Sequence, residues 1–229
     1  MVILTQKMQR RNRIERIKEL KFIHIPKTAG SSIENNALNK GITWGIHDSK
    51  LGSYYRGLSG TCFWHTPLRF LNKLRIRLLV NRYDFFAVVR NPYCRCLSEF
   101  HYFANNGVID KIYTKDHLNY TICHYIKLGR DRDHWAPQSN FIYDTNGIQL
   151  VKNVLKFENL DYEFMALMTQ YKLNVKLVTE FNVSPKHFTV DDLYPSTILA
   201  INKFYYSDFA NFGYQIIDPE SAKSHESTS

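Results

Sequence analysis

Twice in this chain a short apolar run ends near a proline and gives way to residues with helical spacing. The first instance is "KFIHIPKTAGSSIENNAL", residues 21 to 38, and the second is "FFAVVRNPYCRCLSEF", residues 85 to 100. A β-prone run, a turn and a helix in that order are the units of a parallel sheet, because parallel strands need a crossover connection. "FFAVV" is apolar without alternation, as a strand buried on both faces requires. A third strand candidate, "NVLKFE" (153 to 158), stands between helix-like stretches. Further helices are expected in "PLRFLNKLRIRLLV" (67 to 80), with apolar spacing at Leu68, Leu71, Leu74 and Leu78, in "HLNYTICHYIKLG", and in "LDYEFMALMTQYK". The stretch "PSTILAINKFYYSDFANFGY" (195 to 214) reads as one helix led by Pro195. Residues 40 to 60 read as a long glycine-rich loop. The expected fold is α/β, a P-loop-like parallel β-sheet flanked by helices on both faces. One domain over 21–215 is expected, preceded by a basic arm or helix (1–20) and followed by a disordered tail (216–229).

The turn between the first strand and its helix has a specific chemistry. A strand that ends at Pro26 and turns through Gly30 into a helix offers backbone N–H groups and the positive end of a helix dipole to an anion. Lys27 adds a full charge. Thr28, Ser31 and Ser32 add donors without bulk, and Gly30 permits close backbone approach. The spacing differs from G-x-x-x-x-G-K-[ST], since Lys27 precedes the glycine, so ATP is not the favoured ligand. An ordinary Ser/Thr-capped turn is the plainer alternative. In the second unit, Arg90 sits at the strand end and Ser98 lies in the following helix, where a guanidinium fork and a hydroxyl can share one phosphate. Two such sites on neighbouring strands suit a ligand with two separated phosphates.

Charge agrees with an anionic ligand without choosing it: 30 Lys and Arg against 21 Asp and Glu give a formal net charge of +9. No apolar run approaches the ~18 residues of a membrane span. Met1 to Leu4 are apolar, but the basic stretch Lys7 to Lys21 follows them, the reverse of a secretory signal. The four cysteines, Cys62, Cys94, Cys96 and Cys123, lack the paired spacing of a zinc site and read as free thiols.

Taken together, "PKTAGSS" and "RNPYCRCLSEF" resemble the 5′-phosphosulfate loop and the 3′-phosphate motif of the sulfotransferases that use 3′-phosphoadenosine 5′-phosphosulfate (PAPS) and release 3′-phosphoadenosine 5′-phosphate (PAP). The wording is similar to the carbohydrate branch, of heparan or chondroitin type. The resemblance continues in "HWAPQSNFIYD", "VLKFENL" and "FYYSDFANFGY" and so covers most of residues 21 to 214. It implies that Lys27, Thr28, Ala29, Gly30, Ser31 and Ser32 surround the 5′-phosphosulfate and that Arg90 and Ser98 hold the 3′-phosphate. Lys186, in "VSPKHFT", would reach the same nucleotide from a late loop. It also implies in-line transfer of a sulfuryl group to an acceptor hydroxyl, with Lys27 stabilising the leaving charge and no metal required.

A weakly nucleophilic alcohol calls for a general base. Among nine histidines the choice falls on His65, in "CFWHTPLRF", because related enzymes place a catalytic histidine in a comparable segment. His47 and Glu34 are the alternatives. A histidine base of ordinary pKa would make activity rise with pH near ~6.5. Trp135 and Gln138 are candidates for the cleft border or for core packing, and Arg69, Lys73, Arg75, Arg77 and Arg82 for guiding an anionic acceptor or for a plain solvated face. The expected partner is a carbohydrate or other hydroxyl acceptor, anionic chains included, and not nucleic acid. A non-catalytic polyanion- or nucleic-acid-binding protein on the same fold is the competing reading. The expected state is soluble and cytoplasmic, or Golgi-lumenal only if an N-terminal anchor is missing from this chain.

Overall fold

The computed structural model describes residues 18–53, 65–129, 134–177 and 187–219. Three parallel strands form its sheet in the order β1 (Glu19–Ile23), β2 (Tyr83–Val89), β3 (Asn153–Lys156). Ile23 pairs with Ala87 and Phe86 with Asn153, so β2 is central. The alternation of side chains along a strand divides its residues between two cores. Phe86 and Val88 pack with Phe22 and with Ile33 and Ala37 of helix α1 (Gly30–Leu38). Phe85, Ala87 and Val89 pack on the opposite side with Leu79, Phe141 and Ile142. This two-sided burial is why "FFAVV" carries no polar residue. Phe86 is fully buried, and its truncation to alanine is expected to cost about 3–5 kcal/mol.

Each of the first two strands feeds a helix directly across the site. β1 leads through residues 24–29 into α1, so the first strand ends three residues before the Pro26 that the sequence suggested. Helix α2 is a single turn, Ser49–Gly52, capped by Asp48, and with a 3-10 turn at Gly45–His47 it gives local order to the stretch expected to be loop. Residues 54–64 of that stretch lie outside the described residues.

The expected helix over 67–80 is replaced by a 3-10 turn, Leu68–Phe70, followed by α3 (Lys73–Arg82). Asn72 accepts from Arg75 N–H at 2.9 Å and starts the helix afresh, which breaks the phase of the expected stripe. Leu68, Leu71 and Leu79 are therefore buried while Leu74 and Leu78 face outward.

β2 leads into α4 (Pro92–Asn105), which has Pro92 in its first turn and Asn91 as its cap. α4 packs with α5 (Lys115–Lys127) and α8 (Pro195–Phe204) in a third core containing Phe100, Leu118, Ile122 and Ile201. The single-turn α6 is Ser139–Ile142; β3 stops at Lys156, gives a 3-10 turn at Phe157–Asn159, and continues as α7 (Leu160–Gln170). The expected long C-terminal helix is two helices, α8 and α9 (Tyr206–Phe212), broken at Tyr205. There the Tyr205 hydroxyl donates to Trp135 O at 2.8 Å, and the break turns Asp208 toward the backbone of residues 138 and 139.

Candidate active site

The β1–α1 connection is held in a conformation that few side chains favour. Lys27 and Ala29 have φ of 66° and 71°, in the left-handed region. Such strain concentrates at functional sites, where surrounding contacts fix it. Those contacts are present. Thr28 is buried and its hydroxyl donates to Ile25 O at 2.8 Å, while Arg95 Nε donates to Pro26 O at 3.1 Å. The Thr28 hydroxyl thus locks the loop from behind the cavity wall. Ala29, the cap of α1, makes no side-chain hydrogen bond to its first turn, which leaves those N–H groups for an anion.

Gly30 is required by a close approach. A Cβ there would come within 2.1 Å of His24 Nε2. Lys27 Nζ lies 4.3 Å from the Tyr102 ring centroid, and burial, reinforced by Arg90 and opposed by Glu99, lowers its pKa.

Arg90 reaches the same place from β2. Its guanidinium stacks 4.2 Å from the Phe157 ring centroid, and Nη1 donates to Lys27 O at 3.2 Å. Gln138 fixes its main chain from both sides, accepting from Arg90 N–H at 2.9 Å and donating to Arg90 O at 2.8 Å. Asp208 in turn holds Gln138 N–H and Ser139 N–H, each at 2.8 Å. Arg90 Nε is buried and finds no acceptor among the described residues. A buried donor without a partner is costly, and an incoming anion would satisfy it.

Both motifs line one cavity of about 1230 Å³. Its wall includes Lys27, Ala29, Gly30, Ser31 and Ser32 from the first motif, and Arg90 and Ser98 from the second. Thr28 and His47 are not part of the lining, and Lys186 lies outside the described residues. Glu34 is also behind the wall, buried, where Oε1 takes His24 Nδ1 at 2.6 Å and Ile46 N–H at 3.3 Å. Glu34 therefore contacts His24, which lines the cavity, and does not line the cavity itself.

His65 lies in the wall, with its ring centroid 4.6 Å from His24 and 4.8 Å from His134, edge to face with each. His134 Nδ1 meets Glu99 Oε1 at 2.7 Å. Burial, with the two neighbouring imidazoles, pushes His65 down to about 2. It stays neutral where an ordinary histidine titrates, so no activity limb near ~6.5 is expected from it. His24, His134 and Glu99 escaped the sequence reading. His24 could have been found from its place directly after β1, whereas Glu99 and His134 meet only in the folded chain.

The remaining candidates are structural or peripheral. Trp135 is core, stacked on Tyr125 at 5.3 Å, and Gln138 is the clamp already described. Arg69 bonds Asn140, and none of the five basic residues from Arg69 to Arg82 lines the cavity. Cys94, Cys96 and Cys123 are free thiols, Cys96 being pushed up to about 12 by burial. Among the described residues no group of three or more His, Cys, Asp or Glu could hold a metal ion.

A parallel sheet flanked by helices, with the connections that follow β1 and β2 opening on one cavity, is an α/β arrangement that places both motifs together. The family model described as the sulfotransferase family matches residues 10–215, and the chain belongs to that family. Neither a curated protein nor a solved structure matches it.

Proposed function

We propose that this protein transfers a sulfuryl group from PAPS to a hydroxyl of a carbohydrate acceptor. The observation that carries the reading is the meeting of two motifs some 60 residues apart in sequence on one cavity, with His65 in the same wall. Membership of the sulfotransferase family supports sulfuryl transfer in general; the donor, acceptor and base are our reading of the site.

The residues fit PAPS. The open start of α1 with Lys27, Ser31 and Ser32 would receive the 5′-phosphosulfate, and Arg90, with its unpartnered Nε, and Ser98 would receive the 3′-phosphate. When bound, the donor supplies an electrophilic sulfur and a phosphate leaving group. Lys27 is placed to stabilise charge at that phosphate. A neutral imidazole of the cavity wall, His65 first among them, accepts the acceptor's proton.

The test has two parts. Calorimetry should show PAP binding far more tightly than adenosine or ATP, and labelled sulfate should pass from PAPS to a glycan. Equal affinity for PAP and adenosine would overturn the donor assignment.

A further inference from the structure

Five side chains form a row through the site: Glu34, His24, His65, His134 and Glu99. The outer links are hydrogen bonds of 2.6 and 2.7 Å, and the inner links are edge-to-face ring contacts at 4.6 and 4.8 Å. All three imidazoles line the cavity, whereas both carboxylates lie behind it, each almost fully buried. Burying a carboxylate is expensive unless something compensates it, and Glu99 Oε2 has no hydrogen-bond partner among the described residues. The chain thus keeps two buried carboxyl groups, each one imidazole away from His65.

We propose that Glu34 and Glu99 are positioning residues that, acting through His24 and His134, supply the counter-charge for the proton His65 takes from the acceptor. This rests on the sulfotransferase reading of the cavity. In the step, the acceptor O–H bond breaks and its proton passes to His65. The oxygen's electron pair forms the new O–S bond, and the pair of the breaking S–O bond leaves with PAP. A positive charge then stands in a buried site beside two imidazoles, where His24 and His134 alone would oppose it. Each outer carboxylate accepts Nδ1–H of its histidine, fixing that tautomer, and its charge favours a cation further along the row.

The groups that bear on this balance come from several elements. Glu34 is on α1 and Glu99 on α4, while Lys27, from the β1–α1 loop, interacts with Glu99 and offsets part of its charge. The fold guards the Glu34 end in particular. Gly45 has φ of 55°, and a Cβ there would come within 1.5 Å of Glu34 Oε1. The Glu34 end, free of the lysine, is accordingly the cleaner one to test.

Glu34→Gln and Glu99→Gln keep one acceptor oxygen and the side-chain shape while removing the charge. In the full chain labelled with ¹⁵N-histidine, the wild type should show strongly downfield Nδ1–H resonances for His24 and His134, each weakened by the corresponding variant. Loss of a carboxylate charge disfavours a cation nearby, so the acid limb of kcat/KM should move to lower pH by about 1 unit. In Glu34→Gln, kcat should fall about 10-fold or more while the Kd for PAP stays within about 2-fold. Should Glu34→Gln fail to fold, the same limb shift is read from Glu99→Gln. Histidine ring signals and pH profiles superimposable on the wild type, even with reduced activity, would make the carboxylates mere structural props and overturn the proposal. The ring signals are read in the free protein, so absence of PAP binding would sink the donor assignment separately.

Discussion

On the proposed reading, the two cations Arg90 and Lys27 of one cavity have different duties. Arg90 is stacked on Phe157 and fixed at its backbone by Gln138, a rigid arrangement suited to holding a phosphate that is present before and after transfer. Arg90→Ala should therefore weaken PAP binding by about 2 kcal/mol, read by calorimetry. Lys27 lines the cavity with Ser31 and Ser32, and on the proposed reading it meets charge that develops during transfer, so Lys27→Ala should reduce kcat by more than it reduces PAP affinity. His65 gives a third residue-scale expectation, on stability. Its folded pKa of about 2 lies below the ordinary value, so between about 2 and 6.5 the unfolded chain binds a proton that the folded chain refuses. Its contribution is fully present above ~6.5 and is lost as pH falls through that window. Thermal unfolding at pH 7 and pH 5 should show a smaller acid loss for His65→Asn than for the wild type; equal losses would place the sensitivity elsewhere.

At the scale of elements, the cavity depends on buried groups that do not line it. Asp208 on α9 holds the backbone of residues 138 and 139, Gln138 holds Arg90, and Arg95 on α4 ties Pro26 O to His134 O. Gln138→Ala should thus raise the Kd for PAP although Gln138 is fully buried, because the end of β2 loses both of its clamps. An unchanged Kd would show that β2 is positioned by its sheet pairing alone. These links also explain which features could be read from the sequence. Strand, turn and helix are local, so "FFAVVRNP" and "HIPKTAGSS" disclosed β2, α1, the loop and Arg90 without the fold. The stripe of Leu68, Leu71, Leu74 and Leu78 misled, because the Asn72 cap resets the helix phase and sends Leu74 and Leu78 outward. The break at Tyr205 was hidden because its cause is a hydrogen bond to Trp135, 70 residues away. The imidazole row was only partly legible for the same reason: His24 and Glu34 are ten residues apart, but Glu99 and His134 form their hydrogen bond across 35 residues of sequence.

Across the whole molecule, charge and cavity shape bear on the acceptor. Among the described residues no helix is long and apolar enough to cross a membrane. The net charge of +9 creates a field that favours anionic encounter partners. The basic residues from Lys73 to Arg82 stand apart from the cavity, so any help they give is steering from a distance and not contact with the reacting hydroxyl. The cavity itself carries both charged groups and flat apolar surfaces, Lys27 and Arg90 beside Tyr102, Phe157, Tyr162 and Phe188. Rings of that kind can lie against sugar faces, and the cations can meet acidic substituents, whereas a phenol or sterol would favour a closed apolar pocket. If the acceptor is an anionic glycan, kcat/KM should fall steeply between low and physiological salt while kcat at saturating acceptor changes little, because screening acts on encounter. A neutral glycan should show almost no salt dependence with the same enzyme. The deciding measurement is a mass-spectrometric acceptor screen with PAPS, run at two ionic strengths over acidic glycans, neutral glycans, phenols and sterols. Efficient sulfation of phenols or sterols, with every glycan untouched, would overturn the carbohydrate assignment and leave the proposed donor assignment as it stands.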